Sequence, residues 1–181
     1  MKTCPSCNTS FEPRKHFNST IKSKYCDLCT KTRQALKNLE RIKKEDKKRL
    51  NDKKKELLTL SDHLKLTQMV VNKYIRLRDE GKPCISCGKH INGVRHASHY
   101  LSSGGHSNLR FHEENIWVSC YKCNVMLSSN AIEYRKRLIN QIGLERVEWL
   151  EENGSKVKKW EVDELKEIQK IFKENMRQLK N

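Results

Sequence analysis

Nowhere in the chain is there an uncharged apolar run long enough to span a bilayer. Its start, Met1-Lys2-Thr3-Cys4, holds no apolar segment of the kind that leads a secreted protein. A soluble, intracellular protein is expected. Apolar side chains are scarce: 35% of 181 residues are hydrophobic and 33% are charged, so much of the chain must lie outside any shared core. No βαβ pattern surrounds the cysteines, which argues against a thioredoxin-type redox pair.

Sulfur comes in pairs. The eight cysteines form four Cys-x-x-Cys knuckles, Cys4/Cys7, Cys26/Cys29, Cys84/Cys87 and Cys120/Cys123, with none left over. Two residues between cysteines let one tight turn deliver two thiolates to one Zn²⁺, and a second such turn completes the tetrahedron. Thiols of an intracellular chain stay reduced, so two zinc sites are expected rather than four disulfides. One is Cys84, Cys87, Cys120 and Cys123. The other is an N-terminal module of Cys4, Cys7, Cys26 and Cys29. In each, the metal replaces part of the missing apolar core.

Charge points to the partner. Lys and Arg number 38 against 22 Asp and Glu, a formal charge of +16 that suits a polyanion, of which nucleic acid is the usual one. Residues 31–56 have almost no turn formers and carry twelve basic against five acidic side chains, which predicts one long, mostly solvated helix. It reads either as a linker laced by i,i+4 pairs such as Glu40 with Lys44, or as an arm that tracks phosphates through Lys43, Lys44, Lys47 and Lys48.

Further along, Ser61-Asp62 signals a helix start, with Leu66, Met69, Val70, Tyr74 and Leu77 as its apolar stripe and Gly81 as its stop. Asn92-Gly93 predicts a hairpin turn within 91–94, followed by a strand over 94–100. Ser102 to Gly105 is a loop, and 115–118 a short extended piece. Residues 125–127 and 131–142 read as helix ending at Gly143, then a short helix ends at Asn153-Gly154. A last helix from near Asp163 shows Leu165, Ile168, Phe172, Met176 and Leu179, a stripe packed on the body or a dimer seam. The regions expected are 1–30, 31–60, 61–143 and 144–181.

The two central knuckles enclose His96 and His99, and the second runs into Asn124. Hydrolysis of a phosphodiester needs a divalent ion to neutralise charge and a base to take a proton from water. Asn124, held by Cys123 beside it, offers a carboxamide oxygen as a ligand of that ion. On an extended strand His96, Ser98 and Tyr100 share one face while Ala97 and His99 point the other way, so a turn or bulge would be needed to aim both imidazoles at one phosphate.

These residues resemble a known pattern. Cys-x-x-Cys, His96-Ala97-Ser98-His99-Tyr100, a Gly-Gly loop, Leu109-Arg110-Phe111, Asn115 and Cys-x-x-Cys-Asn are similar to the HNH, or ββα-metal, nucleases. More narrowly, Tyr74-Ile75-Arg76-Leu77-Arg78-Asp79, Cys84-Ile85-Ser86-Cys87, Ala97-Ser98-His99-Tyr100, Leu109-Arg110-Phe111, Glu133-Tyr134-Arg135 and Ile142-Gly143-Leu144-Glu145 resemble the NinG (Rap) recombination endonucleases of lambda-like phages. The resemblance covers nearly the whole chain. It implies an α+β protein: a small zinc-stapled ββα-metal core with flanking helices, an N-terminal four-cysteine zinc module and a long basic helix.

It also implies a phage-encoded enzyme acting in the cytoplasm of the bacterial host, cleaving branched double-stranded DNA such as Holliday junctions and D-loops. His99 would be the general base, Asn124 a ligand of the catalytic ion, and Asn115 a brace for the metal loop. HNH nucleases usually place an aspartate one or three residues before the base, where this chain has Ser98 and His96. His96 is therefore taken as the remaining ligand. The catalytic ion is then Mg²⁺ or Mn²⁺, and because a neutral imidazole suits transition metals better than Mg²⁺, Mn²⁺ is expected to support activity.

Competing readings stand beside these. His90, His106 and His112 are read as surface or packing residues. Asn124 serves equally as a helix cap. Arg95, Arg110 and Arg135 contact phosphate or pair with Glu113, Glu114 or Glu133, with phosphate favoured for Arg110. A four-way junction has approximate two-fold symmetry, which suits a homodimer. The rival to an enzyme is a non-catalytic zinc protein that binds nucleic acid, and a third reading is an adaptor docking phage recombination proteins through the last helix.

Overall fold

The computed structural model describes residues 1–13 and 23–180, so residues 14–22 of the expected N-terminal module lie outside the description. The chain divides into two compact units, Met1–Leu57 and Leu58–Asn181.

In the first unit β1 (Lys2–Thr3) and β2 (Ser10–Phe11) pair antiparallel, with Lys2 opposite Phe11 and Thr3 opposite Ser10. The connecting knuckle closes with the Asn8 N–H donating to the Cys4 carbonyl at 2.8 Å and the Cys4 N–H to the Thr9 carbonyl at 2.9 Å. Asn8 takes φ of 56°, a left-handed value that asparagine tolerates better than most residues. The second knuckle opens α1 (Asp27–Glu56), with Cys26 as its N-cap. No residue of α1 is buried, and Leu36, Leu39, Ile42 and Leu50 are all exposed. At 30 residues the helix is about 45 Å long. It is solvated along its length, as its sparse apolar residues predict.

The second unit begins with α2 (Leu60–Arg78). Thr59, not Ser61, is its N-cap: the Asp62 N–H donates to Thr59 Oγ1 at 3.3 Å and the Thr59 N–H to Asp62 Oδ2 at 3.0 Å, a reciprocal capping box. The buried face also differs from the predicted stripe. It carries His63, Thr67, Val71, Tyr74 and Ile75, while Met69 is 66% exposed. Two polar residues on the buried face disguised it. Thr67 Oγ1 lies 2.8 Å from the His63 carbonyl and accepts from Gln169 Nε2 at 2.9 Å, so its hydroxyl is satisfied inside.

No hairpin forms at 91–94. β3 (His96–His99) instead pairs antiparallel with β4 (Ile116–Ser119), in the register His96 to Ser119, Ala97 to Val118, Ser98 to Trp117 and His99 to Ile116. Two apolar layers hold this ribbon. Ile116, Val118 and Ala97 pack with Val71, Tyr74 and Ile75 of α2 and with Leu165 and Phe172. On the other layer Trp117 and Tyr100 pack with Tyr134, Leu138, Val147 and Leu150. Alternation along β4 sends successive side chains to opposite layers.

After β4 come a π-turn (Lys122–Met126), a 3-10 turn (Ser128–Asn130), α3 (Ala131–Ile142) and α4 (Leu144–Gly154). Gly143, with φ of 84°, ends α3 where the sequence predicts. The last helix, α5 (Val162–Gln178), lays Leu165 and Phe172 on α2, with the Tyr74 and Phe172 rings 5.0 Å apart edge to face. That stripe is packed on the body. Among the described residues no helix is long and apolar enough to cross a membrane.

Candidate metal centres and the histidine strand

The cysteines gather as their spacing predicts. In each of two groups, Cys4, Cys7, Cys26, Cys29 and Cys84, Cys87, Cys120, Cys123, the four sulfurs lie within 4.8 Å of one another. A tetrahedron with Zn–S bonds of about 2.3 Å separates its sulfurs by about 3.8 Å. Cys7 and Cys26 Sγ are 3.6 Å apart, and Cys87 and Cys120 Sγ 4.0 Å. The donor set fits zinc.

Both sites are built to one plan. Around Cys84 the Gly88 N–H donates to the Cys84 carbonyl at 2.8 Å and the Cys84 N–H to the Lys89 carbonyl at 3.0 Å, repeating the bonds around Cys4. The residue after the knuckle, Gly88 with φ of 69°, repeats Asn8. The second half of each site opens a helical turn.

Thiol titration follows the same plan. Backbone N–H groups, that of Cys26 foremost, pull the Cys4 thiol down to about 6. Burial pushes Cys84 up, yet the N–H groups of Cys87 and Cys120 bring it down to about 7. Its neighbours move the other way: hydrogen bonds to Cys7 and Cys26 push Cys29 up to about 12, and burial followed by Cys120 drives Cys123 upward. In the N-terminal site a hydrogen bond to Thr9 lowers Cys7 as well, and in both sites a cation is what lets raised thiols such as Cys29 and Cys123 ionise beside the lowered ones.

β3 carries the histidines. Its pairing with β4 runs unbroken from His96 to His99, without a bulge, so the two imidazoles project to opposite faces. His96 is half-buried, with its ring 5.8 Å from that of Tyr121 and no hydrogen bond of its own among the described residues. Asn124 is half-buried on the π-turn, its backbone N–H donating to the Cys120 carbonyl at 3.0 Å and its carboxamide unpartnered. Both therefore adjoin the second knuckle. His99 lies at the other end of β3, its Nε2 3.0 Å from the Arg110 carbonyl oxygen. No third group of three or more His, Cys, Asp or Glu able to hold an ion occurs among the described residues. A divalent ion at His96 and Asn124 would find two protein donors, with the rest of its shell open to water or substrate oxygens.

Asn115 is wholly buried. Its Oδ1 accepts from the Leu101 N–H at 2.8 Å, and Nδ2 donates to the carbonyls of Leu101 at 2.9 Å and Leu109 at 3.1 Å. It ties both ends of the 101–109 loop to the start of β4, and it faces no solvent.

The arginines are engaged. Arg95 Nη1 donates to the Asp79 carbonyl at 2.8 Å, and Arg110 Nε to Gln68 Oε1 at 3.3 Å. Arg135 pairs with Glu151 through two bonds of 2.7 and 3.0 Å, rather than with Glu113, Glu114 or Glu133. On α1, Lys43, Lys44, Lys47 and Lys48 are exposed and have no ion pair among the described residues, while Arg41 and Arg49 pair with Glu45 and Asp46. His106 packs, its Nδ1 2.8 Å from the Gly154 carbonyl; His112 lies against Trp149, and His90 is exposed.

Two residues gain importance only in three dimensions. Asp79, 0% exposed, accepts from Arg78 at 2.8 and 2.9 Å, from Lys82 at 2.9 Å and from the Val118 N–H at 3.3 Å, fastening α2 to β4. Its near neighbours Arg78 and Lys82 were the available signal. Glu151 joins Arg135 to the Tyr100 hydroxyl across 51 positions of chain, for which the sequence holds no signal.

Two four-cysteine groups able to hold zinc, one on each compact unit, and a short histidine-bearing ribbon between helical layers define a small metal-stapled protein of mixed helix and sheet. A family model described as "Bacteriophage Lambda NinG protein" matches residues 1–181, and the chain belongs to the NinG family. It is similar to "Protein ninG" of Escherichia phage 933W, 37% identical over 135 residues, 75% of this chain and 67% of that one. It is also similar to "Protein ninG" of Escherichia phage lambda, 37% identical over 118 residues, 65% of this chain and 57% of that one. The corresponding Salmonella phage P22 protein is 36% identical over 118 residues, 65% and 58% of the two chains. No solved structure matches the chain significantly.

Proposed function

We propose that this protein is a metal-dependent endonuclease that cuts branched DNA, with Holliday junctions and D-loops as its substrates, in phage recombination within the host cytoplasm. Strand β3, strand β4 and the turn-and-helix segment from Lys122 to Ile142 then constitute the ββα-metal core of an HNH nuclease, with the four-cysteine site as its staple.

The observation that carries the reading is the setting of His99. A carbonyl oxygen only accepts, so the Nε2 that faces Arg110 carries the ring proton and Nδ1 keeps its lone pair. Nδ1 has no partner among the described residues and is not among the buried unpaired atoms. Such a nitrogen serves to take a proton from water. A bound Mg²⁺ or Mn²⁺ at His96 and Asn124 would supply charge neutralisation at the phosphate. Because β3 is regular, DNA binding must reorient residues 96–99 for both imidazoles to serve one phosphate. Asn115 acts as a positioning residue through the 101–109 loop. The exposed lysines of α1 supply sequence-independent affinity, and Arg110, whose acceptor on Gln68 is uncharged, can exchange it for phosphate more readily than Arg135 can leave Glu151.

The opposed imidazoles also favour a second reading, a zinc-containing protein that binds nucleic acid without cleaving it. His99→Ala separates the two. Under the nuclease reading the variant keeps two zincs and its affinity for a four-way junction but loses cleavage; under the binding reading wild type and variant are alike inactive.

A further inference from the structure

Between Cys120 and Ala131 the backbone leaves regular geometry twice. Lys122–Met126 forms a π-turn, closed by the Leu127 N–H donating to the Lys122 carbonyl at 3.0 Å. Ser128, Ser129 and Asn130 then take φ of 46°, 73° and 52°, three consecutive side-chain-bearing residues in the left-handed region. Strain of this kind persists only where surrounding contacts hold it, and it gathers at functional sites. The contacts here are Ser86 Oγ donating to the Ser129 carbonyl at 2.8 Å and the Ser98 and Ser129 hydroxyls 3.1 Å apart.

The outcome is an apolar ridge held in solvent. Tyr121 is 57% exposed, Val125 51% and Met126 67%, with Leu127 and Ile132 exposed as well. In a chain with so few apolar residues, this concentration calls for an occupant. Charge selects it: residues 116–132 contain one cation, Lys122, and no carboxylate. A second copy of a chain of charge +16 is repelled, whereas a polyanion is attracted. Position selects it again, because the Tyr121 ring touches that of His96 and Asn124 sits within the turn.

We propose that this ridge is a wedge that reads the branch point: Tyr121, Val125 and Met126 lie against base faces left unstacked there, with Lys122 on an adjoining phosphate. The proposal rests on the branched-DNA reading above. Apolar side chains pushed between base steps of a duplex must first unstack them. A branch already presents open base faces, so the same wedge meets a smaller penalty there, and stacking on a base is tolerant of sequence. Preference for structure over sequence follows.

The test uses the full, zinc-loaded protein without added Mg²⁺ or Mn²⁺, so that cleavage plays no part. A four-way junction carrying 2-aminopurine at the branch, or in one arm, competes with linear duplex for wild type and for Val125→Ser/Met126→Ser. Wild type should alter the branch fluorescence and not the arm fluorescence. The variant should lose that signal and about tenfold of its preference for the junction, the fold-change expected when two apolar side chains no longer cover the open base faces, with zinc content and duplex affinity unchanged. A variant that keeps its junction preference overturns the wedge alone, as does an equal loss on both DNAs. A variant whose mass in light scattering falls from dimer to monomer overturns it in favour of contact between copies. A wild type that shows no junction preference fails the branched-DNA reading itself.

Discussion

His99 Nε2 lies 3.0 Å from the carbonyl oxygen of Arg110, which fixes the tautomer of the imidazole and leaves Nδ1 as its basic nitrogen. Burial pulls its pKa below the ordinary histidine value of 6.5; the Arg110 carbonyl raises it somewhat and the Arg110 charge lowers it.

The sign of the pH dependence follows. A base with a depressed pKa stays neutral above 6.5 and below it, down to its own folded value. The cleavage rate should therefore be level through neutrality and fall only on the acid side of 6.5, measured on a junction at constant ionic strength. Stability shifts in the same sense: the unfolded chain takes the proton first, so the contribution of His99 is complete above 6.5 and is lost as the pH falls toward the folded value. A rate that begins to fall above pH 7 would contradict this setting.

Asp79 is a fully buried carboxylate held between Arg78 and Lys82. Burial pushes its carboxyl up, yet Arg78 and Lys82 hold it below the usual carboxylate value. Asp79→Asn removes the charge and leaves the mostly buried Arg78 with only the more distant Glu113 carboxylate, 4.0 Å away, as a counter-charge, which should cost about 3 kcal/mol in urea unfolding. Zinc content at the N-terminal site should not change.

Asn115→Ala strands the Leu101 N–H and the Leu101 carbonyl without partners and leaves the Leu109 carbonyl only the His112 N–H, for a loss of about 3 kcal/mol. Asn115→Asp should be no better, because a carboxylate would face the two carbonyls that the amide now satisfies. Thermal unfolding of the two variants side by side checks both statements.

Each zinc site should fail separately. Cys84→Ser should lower zinc from two ions per chain to one and unfold the second unit, whose core contains Cys84 and Cys123. Cys4→Ser should also leave one ion, but the unfolding transition of the second unit should stay, since the described apolar core of that unit is built from its own residues, Leu64 to Met176. Zinc analysis with calorimetry reads both.

The legible parts of this fold are those where one chemistry dominates locally. Cysteine spacing located both metal sites, Gly143 and Asn153-Gly154 marked helix ends, and the scarcity of apolar residues over 31–56 foretold a helix without a buried face. Where polar residues lie inside, the pattern misled: His63 and Thr67 hid the true face of α2. Pairings across long stretches of chain, such as β3 with β4 or Glu151 with Arg135, depend on what folding brings together and leave little local trace. Around His99 the motif and the opposed faces of His96 and His99 were readable from strand alternation, whereas the absence of a bulge to bring them together emerged only with the strand register.

The most direct measurement is cleavage of a synthetic four-way junction beside linear duplex of the same sequence, with Mg²⁺, with Mn²⁺ and with no added divalent ion. Junction-selective nicks that require the ion, at least as strong in Mn²⁺ as in Mg²⁺, are the predicted result. Tight junction binding with no cleavage in any of the three conditions would contradict it and leave a zinc-stapled DNA-binding protein.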